Sequence, residues 1–279
     1  MYANQEMQFI EYKQFLRQEE RCEATIEKYI HDLTAFFAWQ GNMELTKECT
    51  AQWKAHLMEA GYAPVSINAM LSPLNGFLRF IGREDCRVKF LKVQRKLFRD
   101  RAKELTREEY GRLVATARNS GNERLALLLE TICATGIRVS EVKYITHEAI
   151  VNGRADIALK GKIRTILLPG KLCRKLRKYA KAQKIASGEI FLTRDGASLS
   201  RTRIWAQMKA LCKKAGVEPT KVFPHNLRHL FARTFYRVCR DIVRLADVLG
   251  HSSIETTRIY LITTGEEHAR QLERLGLIS

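Results

Sequence analysis

Along the first ninety residues, apolar side chains recur at three- and four-residue steps, the spacing of one buried stripe on an α-helix. Met7, Ile10 and Phe15 mark a helix over residues 5–17. Ile26, Tyr29, Ile30, Leu33, Phe36 and Phe37 mark a second over 24–39, with Gly41 as its stop. A third is predicted over 50–59, ended by Gly61. A fourth covers 65–81 and ends at Gly82, with Pro73 expected to kink it. These four short helices are read as a compact helical domain over residues 1–92.

Helical periodicity then lapses. Arg87, Lys89, Lys92, Arg95, Lys96, Arg99, Arg101 and Lys103 crowd this stretch. Residues 93–104 read as a basic linker, either a solvated connector or a strap that lies along phosphates. A second domain, 105–279, opens on Thr106 and Glu109 at capping-box spacing. Leu125, Leu128, Leu129 and Ile132 mark a helix over 123–134, closed by Thr135-Gly136, and a new helix is expected near Arg138. The period changes next: residues 155–159 and 163–168 read as two strands around Lys160-Gly161-Lys162, and 189–193 as a third short strand before Asp195-Gly196. Further helices are predicted over 171–184, 200–215, 225–238, 241–249, 254–261 and 265–275. The pattern is mainly α with a small β sheet or hairpin: a helical domain followed by an α+β domain.

Composition narrows the partners. Of 279 residues, 46% are hydrophobic, enough for packed cores. Basic residues number 48 and acidic ones 30, a surplus of +18 that favours a polyanion, with nucleic acid ahead of an anionic membrane surface. No run of about 18 apolar residues spans a bilayer, and residues 1–10 carry no signal-peptide pattern. A cytoplasmic protein is therefore expected. Seven cysteines are scattered singly with no Cys-x-x-Cys pair, which argues against a disulfide framework and a zinc site.

Four segments carry candidate chemistry. In Thr135-Gly136-Ile137-Arg138-Val139-Ser140-Glu141, an arginine follows a helix stop where backbone N–H groups are free, a natural oxyanion site; Glu141 is placed to hold the guanidinium. The same arginine also fits a plain surface turn. In Pro224-His225-Asn226-Leu227-Arg228-His229, His225 and Arg228 share a helix face and offer donors to two oxygens of one phosphate. His225 and His229 have half the spacing of a zinc helix, but Asn226 stands where that helix needs glutamate, so metal is rejected. His251 follows Gly250 in a loop, and Tyr260 lies nine positions on. Each of these last two is alone compatible with a structural histidine and a packed tyrosine.

In combination, Thr135-Gly136-x-Arg138-x-Ser140-Glu141, His225-x-Leu227-Arg228-His229, Leu249-Gly250-His251-Ser252 and Thr256-x-x-x-Tyr260 resemble the tyrosine recombinase, or phage integrase, family in order and spacing. Thr25-Ile26-x-x-Tyr29 with Asp32-Leu33-x-x-Phe36 is similar to that family's core-binding domain, so the resemblance covers nearly the whole chain. It implies that Arg138 and Arg228 bind the non-bridging oxygens of a scissile phosphate, that His251 donates to them, and that His225 assists proton transfer. Tyr260 would attack and become a 3′-phosphotyrosine. The family's hairpin lysine, which protonates the leaving 5′ oxygen, falls on Lys160 or, alternatively, Lys162, because this turn is one residue shorter than the commonest form. No cofactor or metal is implied. The chain looks like the compact Xer-like or mobile-element type, and no separate arm-binding module is expected. Type IB topoisomerases share the chemistry and remain a rival reading, as does a non-catalytic architectural DNA-binding protein.

The last segment bears on assembly. Gly265 is placed to start a new helix, Glu266 and Glu267 suit its first turn and Arg274 its last, and Ala269, Leu272 and Leu275 form a narrow apolar stripe. So short a helix needs a surface, on its own domain or on another subunit. The resemblance implies docking into a neighbouring protomer, double-stranded DNA with inverted half-sites as substrate, and a tetramer at synapsis.

Overall fold

A computed structural model describes residues 2–93, 101–159, 162–251, 253–260 and 273–274. The chain divides into two compact units, Met1–Arg95 and Lys96–Ser279.

The first unit holds four helices: α1 (Tyr2–Gln18), α2 (Glu23–Gln40), α3 (Lys47–Glu59) and α4 (Pro64–Phe80). The Thr46 side chain caps α3 by accepting from the Cys49 N–H, and Pro64 occupies the first turn of α4, where no intrahelical donor is lost. Their apolar stripes close on one core, in which Leu33, Phe36, Leu71, Phe77 and Leu78 are wholly buried. Helix α4 continues through Pro73, which is itself buried in that core. Gly76 serves a close approach: the Tyr12 hydroxyl lies 2.7 Å from where a Cβ would sit. The chain after α4 is held in extended form by side-chain amides. Asn75 exchanges two hydrogen bonds with the Val88 backbone (2.9 and 2.8 Å), and Asn68 does the same with Leu91 (2.9 and 2.8 Å). Part of the basic stretch is thereby packed against the helical unit.

The second unit is built around α6 (Glu123–Thr135), whose Leu125, Leu127, Leu128, Leu129 and Ile132 are buried on every side. Around it pack α5 (Arg107–Asn119), α8 (Gly170–Ala182) and α10 (Pro224–Cys239). Thr106 and Glu109 form a capping box at the head of α5. Between α6 and α8 lie a 3-10 helix (Val139–Tyr144), α7 (His147–Asn152) and an antiparallel hairpin of β1 (Arg154–Leu159) and β2 (Lys162–Leu167). The register pairs Arg154 with Leu167 and Leu159 with Lys162, burying Ala155, Ile157 and Ile166. After α9 (Arg201–Ala215) and α10 come α11 (Ile242–Leu249) and α12 (Ile254–Arg258).

The helix expected near Arg138 is a 3-10 helix, Val139–Tyr144, with Glu141 folded back onto the Arg138 N–H at its start. Two expectations need correction. Residues 189–193 do not form a third strand. Glu189 bridges only to Thr146, a helix cap, and Leu192 only to Ser198 in its own turn, so no strand runs alongside to pair with. Helix α12 ends at Arg258, which leaves Tyr260 in a turn beyond it. The helix expected over 265–275 lies outside the described residues, apart from Glu273 and Arg274. No described helix is long and apolar enough to cross a membrane.

Candidate active site

Helix α6 stops at Gly136, whose φ of 65° is left-handed. A Cβ here would collide with the Phe231 ring, so both conformation and space require glycine. The chain turns extended at Arg138, and Glu141 locks it: the carboxylate accepts the Arg138 N–H at 2.7 Å and Arg138 Nη1 at 2.9 Å. Arg164 of β2 binds the same carboxylate through Nη2. The Glu141 side chain is 3% exposed and that of Arg138 is 40% exposed. Glu141 thus holds Arg138 from behind and leaves it facing solvent.

Arg228, one turn into α10, is only 1% exposed. It donates to the Gly136 carbonyl, to the Leu249 carbonyl at 2.8 Å and to His251 Nε2 at 2.9 Å, and the Tyr260 phenol lies close enough to favour its charged form. No carboxylate stands among these partners. Burial lowers its pKa, and the neighbouring cations Arg138 and Arg164 act the same way, against the raising effect of the Tyr260 phenol. A buried guanidinium without a counter-ion is an electrostatic deficit that an incoming anion relieves.

A guanidinium can only donate, so His251 Nε2 must be the acceptor and its proton sits on Nδ1. Nδ1 then donates to Thr257 Oγ1 at 2.8 Å. Burial, followed by the charges of Arg228, Arg138 and Arg164, pushes the His251 pKa down to about 4. His225 is lowered for similar reasons, burial first and then Arg228 and Arg138. Tyr260 is 2% exposed and packs in a small apolar cluster with Ala232, Leu245 and Leu249. Its ring centroid lies 4.5 Å from that of His229, 5.8 Å from His251 and 6.4 Å from His225.

Arg138, His225 and Arg228 open into a cavity of about 850 Å³, whose lining also includes Ser140, Arg201, Thr202 and Trp205. Three arginines and a histidine line it, and no acidic residue does. Five of the residues singled out from sequence, Arg138, His225, Arg228, His251 and Tyr260, are therefore gathered in one place. Lys160 lies outside the described residues, as does the side chain of Lys162, whose backbone pairs with Leu159. Among the described residues no group of three or more His, Cys, Asp or Glu is placed to hold a metal ion. Arg164, Thr257, Arg201 and Trp205 went unmarked in the sequence. Trp205 is 51% exposed, an unusual place for so large an apolar ring, but its sequence neighbours give no sign of this.

The model of the phage integrase family matches residues 103–267, and that of the phage integrase N-terminal SAM-like domain matches 9–85. Tyrosine recombinase XerA of Thermococcus kodakarensis is 32% identical over 279 residues, covering 96% of this chain and 95% of that protein. Tyrosine recombinase XerD of Xanthomonas campestris is 31% identical, covering 90% and 86%. Among solved structures, the Tn1549 transposon integrase in complex with transposon right end DNA superposes with a TM-score of 0.72 at 17% identity, covering 96% of this chain and 99% of that one. A lambda integrase dimer bound to a core site gives 0.72 at 19%, covering 91% and 94%. These two share the two-part fold of a helical N-terminal domain and a mainly helical catalytic domain. The chain belongs to the phage integrase family of tyrosine recombinases, enzymes of site-specific DNA recombination.

Proposed function

We propose that Tyr260 is the nucleophile and that Arg138, Arg228, His225, His251 and Lys160 complete the cleavage site, with duplex DNA carrying inverted half-sites as substrate. The observation that carries this reading is Arg228, a buried cation with no carboxylate partner among the described residues, set between the cavity and the Tyr260 phenol. A phosphate in the cavity takes the donors of Arg138 and Arg228 on its non-bridging oxygens. Tyr260 Oη bonds to phosphorus while the bond to the 5′ oxygen breaks. The phenol proton passes to His225, and Lys160 gives a proton to the 5′ oxygen. Negative charge spread over the pentacoordinate state meets fixed cations, each such contact contributing about 3 kcal/mol. The 3′-phosphotyrosine keeps the energy of the broken bond, so rejoining needs no nucleotide cofactor.

His251 changes partner in this scheme. Its Nε2 accepts from Arg228 in the free enzyme. Once a phosphate claims Arg228, the anion favours the protonated ring, and Nε2–H becomes a donor to the phosphate. The helical unit and the basic segment after it serve as the second DNA-binding element. The terminal segment docks on a neighbouring subunit, and four subunits meet at synapsis. Absence of a membrane-crossing helix among the described residues supports a cytoplasmic setting.

A nicked suicide duplex tests the proposal. Wild type should form a covalent adduct, and Tyr260→Phe should bind equally and form none. An adduct with Tyr260→Phe overturns the assignment of the nucleophile. On a plasmid with two sites, relaxed circles without recombinants would point to topoisomerase action instead.

A further inference from the structure

Helix α8 presents a cationic face that the cleavage site does not use. Its sequence, GKLCRKLRKYAKA, holds six basic residues and no acidic one. Leu172, Cys173, Leu176 and Ala180 are buried, and they fill one side of the helix. At 100° per residue, Lys171, Arg174, Lys178 and Lys181 fall together on the other side, and all four are exposed. Lys175 alone of the six has an acidic partner among the described residues, Glu130 at 2.7 and 3.0 Å. The remaining acids of the elements packed against α8 are Glu123, which pairs with Arg118, and Glu148, which accepts from the Gly188 N–H.

Among the described residues no acidic side chain pairs with the four cations of this face. Cations three and four residues apart repel one another, and Lys171 stands in the first turn, where the helix dipole disfavours positive charge. The buried side would anchor the helix equally well with neutral or mixed residues outside. The stripe is also separate from the cavity, which no α8 residue lines. Helix α6 lies between the two, with α8 packed on α6 and α7, and α10, which carries His225 and Arg228, packed on α6 and α11.

We propose that the outer face of α8 is a further DNA-binding surface, distinct from the cavity and from the helical unit, which holds double-stranded DNA lying beyond the cleaved site. This rests on DNA being the substrate. From Lys171 to Lys181 the stripe spans about 15 Å. Duplex DNA presents one charge per about 1.7 Å of axis, so that length faces roughly nine phosphate charges. Spacing of the four cations needs no base to be read, so the contact is independent of sequence and strongly dependent on salt.

The test replaces Lys171, Arg174, Lys178 and Lys181 together by glutamine in the full chain. Binding is measured on two duplexes, one limited to the core site and one extended on both sides by random sequence. Both proteins should bind the short duplex with affinities within about twofold. The extended duplex should bind wild type about tenfold tighter than the short one, and the variant should lose that gain. On the extended duplex the slope of log affinity against log salt should fall by about three to four for the variant. Equal gain from the flanks in both proteins overturns the proposal. So does equal loss on both duplexes, which would place α8 in core-site binding or in the fold. Loss of binding to phosphatidylserine vesicles with no change on DNA would assign the face to membranes instead. Failure of wild type to bind the core duplex at all would strike the underlying substrate assignment, not α8 in particular.

Discussion

Arg164 offers a sharp test of how the site is held. Its guanidinium joins three elements of the catalytic unit: β2, which carries it, the Glu141 carboxylate behind Arg138, and the Val248 carbonyl at 3.3 Å near the end of α11. Its side chain also fills the space over Gly250, where a Cβ would strike Arg164 Cδ. Exposure is 14% for the Arg164 side chain and 3% for that of Glu141. Arg164→Met keeps the aliphatic stem and removes the charge. Deleting one member of a buried pair costs about 3–5 kcal/mol when the other is left alone. Glu141 is not left alone, since Arg138 still gives it two hydrogen bonds. Burial also lowers the Arg164 pKa, so its own desolvation is recovered in the variant. The expected loss is therefore about 2 kcal/mol, read as a lower urea midpoint at constant slope. Catalysis should suffer more, because Glu141 and the Val248 carbonyl near the end of α11 lose their common brace. Displacement of reacting groups by an ångström is worth about a hundredfold in rate. Adduct formation on the suicide duplex should fall by tens of fold, and a 5′-thio leaving group should not restore it if Arg138 and His251 are what moved. Cleavage within twofold of wild type together with an unchanged urea midpoint would refute the bracing role.

Other expectations follow from the same geometry. His251 is held near pKa 4 in the folded protein against about 6.5 in the unfolded chain, so between those values the unfolded chain binds more protons. Stability should be flat above about pH 6.5 and fall as pH drops towards 4, with His225 adding in the same direction; a urea midpoint that rises between pH 7 and pH 5 contradicts this. Lys160→Ala should slow cleavage of a normal duplex and be relieved by a 5′-thio leaving group, whereas the same relief for Lys162→Ala alone would move the role to Lys162. Deleting residues 265–279 should spare binding to one half-site and abolish cooperative filling of two. Paired half-sites still filled cooperatively by the truncated chain would disconnect that segment from assembly.

Much of this protein is legible along the chain, because helices write their buried stripe into neighbouring positions. The stripe of α2 and the capping box of α5 were both expected from residue spacing alone. So was the hairpin, from the change of period after residue 154. The tertiary structure decided what each residue experiences. Arg228 and Arg138 look alike as letters, yet one is sealed at 1% exposure and the other opens to solvent. The His251 tautomer depends on Arg228 and on Thr257, neither next to it in sequence. A strand at 189–193 was expected from local composition and is absent, because a strand needs a partner that composition does not supply. Arg164 and Val248 stand 84 positions apart. Contacts across such a distance leave no periodic trace, since their energy depends on packing and burial that exist only once the chain has closed around them.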